Sequence, residues 1–429
     1  MLERYFKLAE NGTTVKTEVL AGVTTFLTMA YIVFVNPAIL SKAGIDPGAA
    51  FVATCLAAAI GTAIMGLYAN YPVALAPGMG LNAYFAFGVV LGMGHTWQVA
   101  LGAVFLSGVI FLIISVLPIR EAIINSIPHS QKLAIGAGIG LFLGLIGLKE
   151  AGMVVDHPAT LITLGKVAAP TVLMAILGFL LIAILDYRKL PGAIIVGILV
   201  VTVLGIALGL SKFGGVVSMP PSLAPTFMQM DVKGALSLGL LAIVFAFLMV
   251  DLFDTAGTLV AVAPRAGLMD SHGKLKRLGK ALVADSTATI AGAALGTSTT
   301  TSYIESAAGI RVGGRTGLTA VVVALLFLLA LFFAPLAGSV PAYATAPALV
   351  FVACVMASGL AKLDWEDVTE FAPAMITAVM MPFTFSITNG IGLGLISYVV
   401  IKAGTGRAKD IHPITAIIAL AFVAKFAFT

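Results

Sequence analysis

Long apolar runs separated by short polar breaks recur along the whole chain. A membrane-spanning helix needs about 20 mostly apolar residues. On that measure the pattern predicts segments at 18–40, 50–70, 79–94, 97–117, 130–147, 168–186, 191–210, 236–262, 277–295, 303–312, 316–338, 344–361, 368–386 and 387–402. That makes fourteen, followed by an apolar tail at 411–428 whose pattern fits a span or a helix lying flat on the membrane. No polar stretch is long enough to hold a soluble domain.

Two segments are too short and too irregular to be plain spanning helices. One lies in Tyr71–Phe87, where Pro and Gly precede Asn82; the other lies in Gly296–Gly309, where a Thr/Ser run precedes Glu305. Each predicts extended backbone leading into a half-helix. Irregular backbone at membrane depth survives only where protein or a water-filled cavity satisfies it, and such segments at matching places in two halves point to a transporter site. The halves do match, because the interrupted segment is third in each set of seven. Ser126-Ile-Pro128 and Ser339-Val-Pro341 precede the fifth and twelfth segments, and Ala169-Pro170 and Ala372-Pro373 open the sixth and thirteenth. Seven is odd, so the second copy enters from the opposite side. The expected architecture is an all-α polytopic membrane protein with about 14 transmembrane segments as two inverted repeats, 1–210 and 211–429.

Composition agrees. The chain has 429 residues, 60% hydrophobic and 10% charged, against roughly 25% charged in soluble domains. This sets aside a disordered chain, a secreted disulfide scaffold and an ordinary cytosolic enzyme. The +5 net charge reflects topology rather than an acidic partner, and no nucleic acid is expected. With a cytoplasmic N-terminus, 18 Lys and Arg fall in inside loops and five (Lys42, Lys149, Lys166, Lys212 and Lys233) outside, as the positive-inside rule requires. Cys55 and Cys354 lie far apart, and the five histidines are scattered, so no metal site or cofactor is expected.

Charges in the bilayer interior are costly and default to a functional reading. Asp251, Asp254, Asp285 and Glu305 all sit in apolar segments. Asp251 and Asp254 are spaced i,i+3, on one helix face, with no Lys or Arg in their stretch. Together they read as a carboxylate pair able to hold a proton reversibly. Asp285 reads as structural, capping a half-helix or bonding nearby backbone. Asn82 has an N-cap as its plain alternative.

These residues resemble a known family. Ala284-Asp-Ser-Thr-Ala-Thr289 with Gly296-Thr-Ser-Thr-Thr-Thr-Ser-Tyr-Ile-Glu-Ser306 looks like the nucleobase-cation symporters, also called nucleobase–ascorbate transporters. Pro77-Gly-Met-Gly-Leu-Asn82 and Asp251-Leu-Phe-Asp-Thr-Ala-Gly257 look like their AzgA-like branch of adenine/guanine/hypoxanthine permeases. The resemblance implies a core domain (segments 1–4 and 8–11), a gate domain (5–7 and 12–14), short strands in segments 3 and 10, and purine uptake with protons. It implies that Glu305 grips the base, that Asp254 and Asp251 are the branch's acidic pair, and that Asn82 is its segment-3 polar residue. Gly80 and Ile304 match positions that offer backbone groups to the base. Two departures stand out: the wider family often has Glu at the Asp254 position, and Thr258 occupies one that can be His or Asp.

The expected function is therefore proton-coupled purine uptake by an alternating-access secondary transporter in the cell membrane. Phe253, Tyr84 and Tyr303 are candidate stacking faces. An ionised Glu305 would favour guanine and hypoxanthine, whose N1–H donates, over adenine. Lipid is the surrounding partner, and a homodimer is left open. The rivals are a permease for xanthine or uracil, and an anion exchanger of similar repeat architecture. An intramembrane aspartyl protease would need its two Asp on facing helices, and a passive channel would lack the two broken helices.

Overall fold

The protein is described by a computed structural model over residues 2–117, 126–269 and 275–428. Arg120, His272 and Lys274, used above in counting charges and histidines, lie outside the described residues. Each of the fourteen predicted segments holds a helix. Segment 1 is α1 (Val15–Met29) and α2 (Ile32–Lys42), broken at Ala30-Tyr31. Segment 2 is α3 (Pro47–Ile64), started by Asp46, whose side chain accepts from Ala49 N, and by Pro47 at the first helical position. Segment 3 is strand β1 (Leu75–Pro77), then α4 (Met79–Ala83) widening into a π-type stretch at Tyr84–Gly92. Then come α5 (Trp97–Val116), α6 (His129–Glu150), α7 (Pro170–Tyr187) and α8 (Ala193–Ala207).

The second half runs α9 (Leu238–Val262), α10 (Leu278–Leu295), then β4 (Thr300–Ser302) and α11 (Ser306–Val312). It continues with α12 (Gly317–Ala330), α13 (Ala342–Ala357), α14 (Val368–Phe383) and α15 (Ile387–Gly404). Among the described residues, nine helices are long and apolar enough to cross a membrane, with four shorter apolar helices beside them. The apolar tail forms α16 (Pro413–Phe428), whose Phe422 packs on Gly392 of α15. At about 1.5 Å per residue its 16 residues reach ~24 Å, short of a bilayer core of ~30 Å. One element was not legible: an exposed hairpin of β2 (Val154–His157) and β3 (Leu161–Leu164) between segments 5 and 6.

The helices pack in two groups. In one, α10 lies against α5 and α3, α12 against α1 and α3, and α9 against α5. In the other, α6 lies between α13 and α14, and α13 also meets α7. The glycines of α6 make that sandwich close: a Cβ on Gly138 would overlap Met381 and Ala378, and one on Gly140 would overlap Met356. Small residues let helix backbones approach where the surrounding lipid offers no hydrophobic drive.

A buried carboxylate joins α1 to α12. Glu18 is 0% exposed and accepts from the backbone N–H of Arg315 (2.8 Å), Thr316 (3.3 Å) and Thr319 (3.1 Å), and from the Thr319 hydroxyl (2.6 Å). Those N–H groups lie at the start of α12, where Arg315 and Thr316 have no helical acceptor and Thr319 also donates to Thr316 O at 3.2 Å, so the anion sits at the helix's positive end.

The ends of α14 and α15 are tied by charge. Lys402 Nζ meets Glu370 Oε1 at 2.6 Å, and Arg407 Nη1 meets Asp367 Oδ2 at 2.6 Å. The Thr369 hydroxyl and the Arg407 guanidinium donate to Asp367 and hold its carboxyl below the usual carboxylate range. A carboxyl that is harder to protonate when folded adds stability above the unfolded value, about pH 4. That stability fades as acid protonates Asp367 in the folded protein. Asp367→Asn should therefore lower thermal stability at neutral pH and make no difference in strong acid. Melting curves of the solubilised protein at the two pH values check this.

Candidate functional site

Strands β1 and β4 come from the two halves of the chain and pair antiparallel, with Leu75 opposite Ser302, Ala76 opposite Thr301 and Pro77 opposite Thr300. Both are fully buried. The ladder extends at each end, Gly78 N–H donating to Thr299 O and Tyr303 N–H to Ala74 O, both at 2.9 Å. Pro77 has no N–H to give, and its carbonyl instead accepts from the Tyr303 hydroxyl at 2.5 Å. Backbone that no helix could satisfy is thus satisfied by its counterpart in the other half.

Each strand hands over to a short helix. Glu305 holds the position before α11, as the sequence suggests, with no capping bond from its own side chain. Its carboxylate is free to point elsewhere, and Oε1 accepts from the Tyr31 hydroxyl at 2.6 Å. Tyr31 stands at the break between α1 and α2. Asn82 differs from the N-cap alternative: Gly78 takes the cap position of α4 and Asn82 lies inside the helix. The Asn82 side chain bridges the halves, accepting from the Ser298 hydroxyl and donating to Pro77 O at 3.4 Å. Gly80 is buried, and a Cβ there would overlap Ile139 of α6. It marks a close approach between the two helix groups.

The acidic residues divide around β4. Asp254 is half-buried and shares its electrostatic surroundings with Glu305. Asp251 is 1% exposed and accepts from the Thr289 hydroxyl at 2.9 Å. Its carboxyl is within hydrogen-bonding reach of Asp285. The expected Asp251–Asp254 pair is therefore split: i,i+3 positions lie about 60° apart around a helix, enough to aim the two at different neighbours. Asp285 does not cap a half-helix. It lies within α10 and accepts from the hydroxyls of Thr255 (2.6 Å) and Ser302 (3.0 Å).

Among the aromatics, Tyr84 is fully buried, its hydroxyl is paired with that of Thr388, and its ring packs on Phe247 at 5.1 Å. It has no open face for stacking. Tyr303 is 5% exposed, and Phe253 is half-buried with Lys132 Nζ 6.0 Å from its ring centroid. Ile304 is 45% exposed beside Glu305, while Thr258 is buried one turn beyond Asp254. Sequence reasoning missed Tyr31, Thr255, Thr289 and Ser298. No composition signal marks a hydroxyl whose partner lies on another helix.

The geometry places acidic, hydroxyl and backbone groups at a strand junction between half-helices. Among the described residues, no group of His, Cys, Asp and Glu could hold a metal. Residues 16–421 match the family described as the permease family. The adenine permease AdeP of Escherichia coli (strain K12) is 54% identical over 428 residues, 100% of this chain and 96% of its own. The guanine/hypoxanthine permease PbuG of Bacillus subtilis (strain 168) is 46% identical over 439 residues, spanning 100% of both chains. Among solved structures, the transmembrane domain of the cyanobacterial bicarbonate transporter BicA superposes with a TM-score of 0.65 at 16% identity, covering 90% of this chain and 97% of that one. That likeness speaks for the fold alone, an inverted-repeat arrangement of core and gate. The chain is a multi-pass membrane transporter rather than an enzyme, and it belongs to the nucleobase–ascorbate transporter family of permeases.

Proposed function

We propose that this protein imports a purine nucleobase together with protons. The observation that carries the reading is the convergence of Glu305, Asp254 and Tyr31 at the β1–β4 junction. A purine is flat and apolar on its faces and polar around its edge, so a crevice of carboxylate and backbone groups beside Phe253 suits it. Glu305 and Asp254 read the edge. Gly80 and Ile304 supply backbone groups around it, Tyr303 is a second ring beside it, and Asn82 and Thr258 are polar neighbours. Two acidic side chains and no arginine in this cluster disfavour an anion as cargo.

We further read residues 1–210 and 211–429 as the two inverted repeats, with segments 1–4 and 8–11 as core and the rest as gate. The N-terminus faces the cytoplasm on the distribution of Lys and Arg. The adenine permease and the guanine/hypoxanthine permease among the relatives make the base preference a question for Glu305. Ionised, it suits the N1–H of hypoxanthine and guanine; protonated, it suits the bare N1 of adenine. Uptake of radiolabelled hypoxanthine, guanine, adenine, xanthine, uracil and sulfate, with and without a protonophore, tests the reading. Purine uptake abolished by the protonophore is expected; sulfate uptake alone would overturn it.

Tyr31→Phe removes the donor that fixes Glu305 Oε1. One hydrogen bond to a charged group is worth about 1.5–3 kcal/mol, so purine affinity should fall roughly 10- to 150-fold. Competition binding on purified protein measures it, and unchanged affinity removes Tyr31 from the site.

A further inference from the structure

Behind β4, on its α9–α10 side, lies a second cluster. Asp285 is 0% and Asp251 1% exposed. One oxygen of each is well supplied: Asp251 Oδ2 by Thr289, and Asp285 Oδ1 by Thr255 and Ser302. The other two, Asp251 Oδ1 and Asp285 Oδ2, are buried with no hydrogen-bond donor. The two carboxyls are within hydrogen-bonding reach of each other. Buried polar atoms without partners are rare. Two adjacent carboxylates, both ionised and both short of a donor, would repel as well.

We propose that Asp251 and Asp285 share a single proton, and that this proton is the ion coupled to the purine. The inference rests on the purine reading above and changes the partner of Asp251 from Asp254 to Asp285. A proton on either carboxyl becomes an O–H donor to the other, which gives the pair its missing donor and removes one of two like charges. Around the pair, α5 and the strands β1 and β4 carry no titratable residue, α3 only Cys55, and α9 only Asp254 besides Asp251; on α10 the one cation, Lys280, lies in the first turn, its Nζ 5.1 Å from the ring centroid of Tyr68 in the Met65–Ala69 stretch packed there. Beyond β4, Glu305 precedes α11 and Arg311 lies in its last turn, and Lys132 of α6 reaches α9 at Phe253.

The pair is wired to β4, the strand that leads to Glu305. The Thr289 hydroxyl lies 2.9 Å from both Asp251 Oδ2 and Thr300 O, and its single hydrogen is shared between them. Thr255 donates to Asp285, pairs with the Thr301 hydroxyl at 2.8 Å, and accepts from Ser302 N–H at 3.3 Å. Ser302 itself donates to Asp285. Three consecutive strand residues thus register whether the pair holds its proton, and Glu305 follows three positions after Ser302. Proton and purine stabilise the same arrangement of β4, so each raises the other's occupancy. The proton enters as O–H from the outside water and leaves to water on the cytoplasmic side after the purine.

The test uses purified full-length protein in liposomes, with hypoxanthine and adenine as probes. Asp285→Asn should keep purine exchange without a gradient within about threefold, while accumulation driven by a pH gradient falls at least about tenfold and purine binding loses its pH dependence. Asp285→Glu should keep accumulation with a displaced pH profile, and it decides the matter if the Asn variant fails to fold. Full gradient-driven accumulation by Asp285→Asn, or an unmoved profile in Asp285→Glu, overturns the proposal. So does accumulation driven by a sodium gradient at equal pH. Absence of all purine exchange in the unaltered protein would instead overturn the purine reading.

Discussion

Glu305→Gln lowers purine affinity about 30- to 1,000-fold. The substitution keeps size and shape but replaces a charged acceptor at the start of α11 with an amide, which presents one acceptor and one NH₂ to a purine edge and to Tyr31. Loss of a half-buried charged acceptor costs about 2–4 kcal/mol, which sets that range. Equilibrium competition with unlabelled hypoxanthine, guanine and adenine on purified protein measures it. Weakening for the 6-oxopurines with adenine spared would show that the carboxylate reads N1–H. Equal affinity for every purine would remove Glu305 from the site.

Glu18→Ala is expected to destabilise the folded protein by about 2–4 kcal/mol. It leaves the Arg315 and Thr316 N–H groups at the start of α12 without an acceptor, at half-buried and buried positions, while Thr319 N–H keeps Thr316 O. Each stranded donor costs about 1–3 kcal/mol, partly relieved by local adjustment, and the anion's attraction to the helix N-terminus is lost as well. Glu18→Gln keeps one acceptor and should recover part of the loss. Melting of the detergent-solubilised protein reads both, and an unchanged midpoint for Glu18→Ala would show that α12 is capped by other means.

Glu18 also shows where sequence reading stops. The fourteen segments were legible because apolar length alone defines them, and the breaks in segments 3 and 10 were legible because Pro, Gly and consecutive Thr and Ser cannot carry a good helix. The partner of Glu18 lies some 300 positions away at Arg315–Thr319, and nothing local announces it. The same holds for Asp251. Its spacing from Asp254 is visible in sequence, but its turn toward Asp285 depends on how α9 is rotated against α10. The break at Tyr31 is silent too, since Met29-Ala-Tyr-Ile32 contains no Pro or Gly. Glu305 was legible because one uncompensated charge beside broken backbone needs no partner to be conspicuous.

The strand pair also sets a schedule for biosynthesis. Leu75 is made some 225 residues before its partner Ser302, and at 5–20 residues per second that is a delay of about 10–45 s. Through that interval the first half holds extended backbone at Leu75–Pro77 whose ladder partner does not yet exist. The bilayer offers no substitute. Segment 3 must therefore stay near water or the insertion machinery until β4 emerges, so the site closes only well into the synthesis of the second half.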